Sequence, residues 1–195
     1  MDITNAIYFD SRNDWRQWLS THFESEPEVW LIYPNKASGE KCILYNDAVE
    51  EALCFGWIDS TIKKYDATHS AQRFSPRNPK SSFSQPNRER LRWLDQQHLL
   101  HPKVRQTVTN ILSEAFVYPP DILAALQADE ETWHHFNRFS ESYKRIRIAF
   151  IDHSRKRPDA FESRLNNLLK MTKRNKMIVG HGGIDKYYAT DTPKG

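Results

Sequence analysis

Apolar positions along this chain change their period several times, and each change predicts an element. Residues 6–9, Ala-Ile-Tyr-Phe, are a short run of strand character. Ser11 followed by Asp14 resembles a capping box, and the helix it opens carries Trp15, Trp18, Leu19 and Phe23 on one face before Glu26-Pro27 stops it. Residues 29–33, Val-Trp-Leu-Ile-Tyr, are β-branched and aromatic and run into a turn-rich stretch at 34–39, so a second strand and a loop are expected. Ala48, Val49, Ala52 and Leu53 then fall at helical spacing, and Gly56 stands where a left-handed cap would end that helix. From residue 57 to 64 the pattern alternates. Ile58, Ser60, Ile62 and Lys64 are expected on one side, with Trp57, Asp59, Thr61 and Lys63 on the other. A turn over 65–70 and a partner strand over 71–75 complete a small, mainly antiparallel sheet.

Beyond residue 75 the signals turn helical. Pro76, Asn78, Pro79 and three serines make a loop, Pro86 suits a first helical turn, and Leu91, Trp93, Leu94 and Leu99 supply a packing face. Pro102, Pro119 and Pro158 mark later helix starts, and Ser140 a fourth through N-cap chemistry. The expected class is a helix-rich α+β fold: an α+β lobe over 1–117, an all-helical lobe over 118–176 and a loose tail over 177–195.

At 195 residues one compact body with two lobes is expected, and 24 aromatic residues against a modest aliphatic content should carry much of the packing. No run approaches the roughly 20 apolar residues needed to span a bilayer, and the start resembles no export signal, so cytoplasm is the expected compartment. Cys42 and Cys54 match neither a redox nor a zinc spacing and are expected to be buried thiols. The net charge of +3 hides an asymmetry, because residues 1–59 hold 4 basic and 11 acidic residues while residues 138–176 hold 12 basic and 4 acidic. A solvated helix face is the plain reading of the basic third, with nucleic acid as its functional alternative.

The run DAVEEALCFGWIDS at 47–60, RFSPR at 73–77, Ser84 and NRER at 87–90, followed by helical sequence from about 119 to 173, resembles the YdeI/OmpD-associated, or bacteriocin-protection, family. The resemblance implies a link to tolerance of antibacterial agents and carries no catalytic residue with it.

Read physically, the same residues suggest a binding site. Arg73 arrives from the strand beside Asp59, which predicts either an ion pair that buttresses the sheet or a recognition pocket floored by Trp57. Arg77, Lys80 and Arg88 surround a serine-rich loop that feeds a helix N-terminus, where an anion is favoured; Ser84 as a simple cap is the duller alternative. The candidate ligand-binding set is therefore Trp57, Asp59, Arg73, Arg77, Ser84, Asn87 and Arg88. Glu50 and Glu51 are adjacent and should diverge around their helix, which argues against a paired-carboxylate acid and base. The histidines lack metal-ligand spacing, and no phosphate-binding loop, dinucleotide motif or nucleophile elbow is present, so neither metal nor cofactor is expected.

These residues point first to a ligand-binding protein for a small anion and second to an enzyme acting on a small anionic substrate in the same pocket. A nucleic-acid module built from Lys144, Arg145, Arg147, Arg155, Lys156 and Arg157 is third, since interspersed Ile146, Ile148, Phe150 and Ile151 look like core. Random duplex DNA should accordingly bind weakly and release by moderate salt, as screened helix charges do. Fluorescence anisotropy across a salt series checks this, and sub-micromolar affinity retained in that salt would promote the third reading.

Overall fold

The computed structural model describes residue 3 and residues 5–180, and its first element is the two-residue strand β1 (Ala6–Ile7). Helix α1 (Arg12–His22) opens on Ser11, whose side chain accepts from the Asp14 N–H at 3.2 Å and donates to the Asp14 carboxylate at 2.6 Å. Strand β2 (Val29–Pro34), helix α2 (Tyr45–Cys54), and strands β3 (Trp57–Lys64) and β4 (His69–Pro76) follow. The strands form one sheet in the order β1-β2-β4-β3, parallel between β1 and β2 and antiparallel elsewhere. Gly56, at φ +73°, makes the turn from α2 into β3 that the sequence predicts.

One face of this sheet carries the helices. Trp15 lies edge-on to Phe74 at 5.5 Å and donates its indole N–H to the Ala48 carbonyl at 3.0 Å, so a single side chain joins α1, α2 and β4. Burying a ring of this size stabilises the fold by on the order of 3 kcal/mol. Trp18 meets Trp57 edge-on at 5.8 Å, and the Trp57 indole N–H is satisfied by the Phe23 carbonyl at 3.0 Å. Aromatics do carry this core.

A β-bulge between Asp59 and Ile62 changes the alternation expected for β3. Asp59 pairs with Phe74, yet Ile62 pairs with Gln72, so three residues advance on β3 while two advance on β4. Past the bulge Ile62 therefore shares the face of Asp59. Lys63 moves to the other face, its ammonium 5.0 Å above the Trp30 ring.

Glu50 and Glu51 are both buried, and both reach the same arginine. Arg12 donates from Nε to Glu51 at 2.5 Å and from Nη1 to Glu50 at 2.9 Å, and Arg16 adds a second bond to Glu51 at 2.5 Å. The expected divergence of these two carboxylates is thus corrected. A guanidinium is wide enough to bridge neighbouring helical positions when it approaches from an adjacent helix. Burial opposes the charge on Arg12, but Glu51, Glu50 and Asp47 together raise its pKa above the ordinary value. Cys54, at the end of the same helix, is buried, and that burial pushes its thiol up to about 12.

The chain divides into two compact units, Met1–Ser82 with Leu94–Asn110, and Phe83–Trp93 with Ile111–Gly195. Helix α3 (Gln85–Gln96) and helix α4 (Pro102–Ser113) each span a boundary of that division. In the second unit, α5 (Pro120–Gln127), α6 (Glu130–Arg138), α7 (Glu141–Asp152) and α8 (Pro158–Lys173) bury Ile122, Leu126, Phe136, Ile148, Ile151 and Leu168 together. Ser140 caps α7 as expected, and Asp129, which the sequence reading passed over, caps α6 by accepting from the Thr132 N–H at 2.9 Å.

The start of the expected tail is packed, since Ile178 lies against the helical core and its N–H donates to the Tyr143 hydroxyl at 3.0 Å. Residues 181–195 of that tail lie outside the described residues. Lys144 and Arg147 are buried on α7, so the basic residues of the final third do not make one continuous solvated face. Among the described residues no helix is long and apolar enough to cross a membrane.

Arg12→Ala should lower stability by about 2 kcal/mol, short of the figure for a fully buried pair because the Arg12 side chain keeps 31% of its surface. Denaturant unfolding at neutral pH measures it, and an unchanged midpoint would show that Glu50 and Glu51 do not need this guanidinium.

Candidate functional site

The candidate residues separate between the two units: Trp57, Asp59, Arg73 and Arg77 belong to the first, and Ser84, Asn87 and Arg88 to the second. Trp57 is 1% exposed, enclosed by Trp18 and the Phe23 carbonyl, so it has no surface with which to floor a pocket. Arg73 does not pair with Asp59. The register sets Arg73 opposite Trp30 and Asp59 opposite Phe74, and directly opposed residues share a face, so the two side chains leave the sheet on opposite sides.

Arg73 instead binds Glu28, at 2.7 Å from Nε and 2.6 Å from Nη2. Glu28 also accepts from the Trp30 indole at 3.0 Å, and the Arg73 hydrogen bond is the main cause that holds its carboxyl below the usual range. Asp59 accepts from the Tyr45 hydroxyl at 2.5 Å. Arg77 spends its guanidinium on its own loop, donating to the Asn78 carbonyl at 3.2 Å and to the Ser81 carbonyl. That grip tightens the turn leaving β4.

Ser84 stands just before α3, its carbonyl accepting the Arg88 N–H at 3.0 Å, and Asn87 accepts from Arg90 at 2.9 Å. Arg88 is paired with Glu114. Arg88 leads to a concave site, because Glu114 is one wall of a cleft of about 370 Å³ in the second unit.

That cleft is lined by Arg92, Leu112, Phe116, Tyr118, Glu141 and Arg145 together with Glu114 and Ala115. Beside it Glu89 is almost fully buried and collects its charge partners from two helices: Arg145 of α7 binds it through Nε and Nη2, both at 2.8 Å, and Arg92 of α3 through Nη1 at 2.9 Å. Gln85 donates to the same carboxylate at 2.6 Å. Arg92 is fixed further by the Glu114 carbonyl at 2.6 Å. A carboxylate held this fully locks the two guanidinium planes.

The aromatic side of the cleft is Phe116 against Tyr118, edge to face at 4.8 Å. Tyr118 donates to Glu141 at 3.1 Å, and burial first, then the Glu141 charge, raise its pKa so that it stays protonated at neutral pH. Glu141 also meets Lys144, and Glu114 meets Arg88. Within the lining itself two cations, Arg92 and Arg145, stand against two carboxylates, Glu114 and Glu141, which are paired in turn with Arg88 and Lys144 outside it. No local spacing could have joined Glu89 to Arg145, which lie 56 residues apart. The nearest signal was the charged run at 87–90, which ends two residues before Arg92.

The chain belongs to the family whose model is described as a domain of unknown function (DUF8412), which matches residues 7–107. Residues 115–175 match the family described as bacteriocin-protection, YdeI or OmpD-associated, which bears out the resemblance. The motif run at 47–60 and RFSPR at 73–77, however, fall within the first match, while the second covers the α4–α5 connection that contributes Phe116 and Tyr118 and the helix α7 that contributes Glu141 and Arg145. No curated protein and no solved structure matches the chain.

With both partners a third exposed, the Glu28–Arg73 bridge should contribute under about 1 kcal/mol at neutral pH. Its sign follows from the depressed Glu28 pKa: the stabilisation is present above the ordinary carboxylate value and is lost as pH falls through the lower folded-state value. Arg73→Ala should therefore be slightly less stable than the parent near neutrality and equal to it in strong acid. Thermal unfolding across that range reads the difference, and a gap that widens in acid would contradict the pairing.

Proposed function

We propose that this protein binds a small amphipathic ligand carrying a carboxylate or phosphate, and that the site is the cleft between Arg92, Arg145, Phe116 and Tyr118. The observation that carries the reading is a pair of arginines, Arg92 and Arg145, fixed beside an aromatic wall. Glu89 holds both guanidinium groups in place before any ligand arrives, and such preorganisation reduces the ordering cost of binding. An anionic group would meet the arginines while an aromatic or aliphatic body packs against Phe116 and Tyr118.

The bacteriocin-protection description of the family matched by residues 115–175 supports a role in tolerance of antibacterial agents, with this cleft as the place of contact. Free thiols at Cys42 and Cys54 support a reducing, cytoplasmic setting for that role.

Thermal unfolding with phenyl phosphate, benzoate and inorganic phosphate tests the reading, because a ligand that binds only the folded state must raise the melting temperature. Phenyl phosphate should stabilise the parent more than inorganic phosphate does. Phe116→Ala, which leaves Glu89 and its arginines intact, should lose that advantage. If none of the three stabilises the parent, or if Phe116→Ala responds as the parent does, the cleft is not the binding site.

A further inference from the structure

A second concavity of the helical unit lies on another face of α7. Arg145 lines the cleft, and Arg147 stands two positions further along the helix, so the two side chains leave it in different directions. Arg147 borders a cavity of about 60 Å³ together with Phe150, Arg164, Asn167, Leu168 and Ile178. Roughly 15 Å³ of such free space admits one water, so this cavity takes a group of a few heavy atoms and not a whole metabolite. Asn167 is exposed and forms its rim.

Arg147 is only 5% exposed, and its Nε is buried with no hydrogen-bond partner. Its Nη2 donates to the Ile178 carbonyl, which fixes the guanidinium against one wall of the cavity. Arg164 of α8 reaches the same space over the Phe150 ring, 3.7 Å from its centroid, and donates from Nη1 to the Phe150 carbonyl at 2.8 Å. Among the described residues no carboxylate pairs with either guanidinium. Elsewhere the buried charges are matched: Glu50, Glu51 and Glu89 each have arginines, and Lys144 has Glu141. A buried cation with an unused donor beside empty space calls for a negative group that the fold does not supply.

We propose that this cavity binds the carboxylate of a short aliphatic acid, with Arg147 and Arg164 sharing its charge, the Asn167 amide donating at the rim, and the alkyl chain lying against Leu168 and Ile178. A carboxylate is the oxyanion whose needs match the lining: it is planar, carries one charge, and accepts from guanidinium N–H groups at both oxygens. A phosphate brings a further oxygen and up to a second charge, for which these largely apolar walls hold no further donors. A neutral ligand would leave both guanidinium groups without a counter-charge. The aromatic body proposed for the cleft is too large for a cavity of this volume, so the two sites select different acids.

The test follows the Arg147 Nε–H resonance in ¹⁵N-labelled full-length protein during titration with acetate, propionate and butyrate, each against sodium chloride of equal ionic strength. The resonance is assigned by its loss in Arg147→Met. At least one acid should shift it saturably where chloride does not. Arg164→Met, which keeps an apolar stem over Phe150 and leaves Arg147 in place, should lose at least tenfold in affinity by the same resonance. Arg147→Met gives a second reading: the acid that raises the melting temperature of the parent should no longer do so. Phe116→Ala should bind the acid as the parent does, which separates this cavity from the cleft. Absence of a saturable shift with all three acids overturns the proposal, as does undiminished binding by Arg164→Met. A shift produced by inorganic phosphate in place of the acids would also overturn it, by marking a phosphate site instead.

Discussion

Removing an ionised carboxylate from water is costly unless a cation and several hydrogen bonds replace the solvent. Glu50, Glu51 and Glu89 are each removed in this way, and arginines hold all three. Arg12 and Arg16 project from α1 onto α2, and Arg16 continues to the Leu99 carbonyl at 2.8 Å. Arg92 and Arg145 bring α3 and α7 onto one carboxylate. Each unit thus contains a point where helices are tied by charge, and removing either side of such a contact strands the other in a poor medium. Specific docking follows, because an apolar helix face could slide where a forked guanidinium could not.

Around these points the packing is aromatic. Trp15 joins α1, α2 and β4, and Trp18 and Trp57 extend the cluster along the sheet. Gly56 fits the same economy of space: a Cβ there would lie 3.3 Å from the Val104 side chain of α4, and its left-handed backbone already disfavours other residues. The tight turn from α2 into β3 is therefore required both by the chain direction and by the helix that packs beside it.

The cleft of the second unit grows out of this arrangement. Glu89 first satisfies a folding need, yet in doing so it orients two arginines at the edge of a concavity that Phe116 and Tyr118 wall.

Local chemistry was legible in the sequence: Ser11 and Ser140 as caps, Gly56 as a left-handed turn, the tryptophans of α1 as a buried face, and the helical second half. Each of these depends on neighbours within a few residues, which is the range over which propensity and periodicity act. Which charges meet was decided only in three dimensions. The register that sets Asp59 opposite Phe74 placed Asp59 and Arg73 on opposite faces, with Arg73 paired to Glu28, 45 residues away, and Asp59 to Tyr45. Glu50 and Glu51 converge because α1 lies across α2, and Glu89 finds Arg145 because α7 packs beside α3. Sequence spacing fixes where a side chain leaves its own element, but the partner it meets is set by how elements pack, and that is a property of the whole core rather than of any segment.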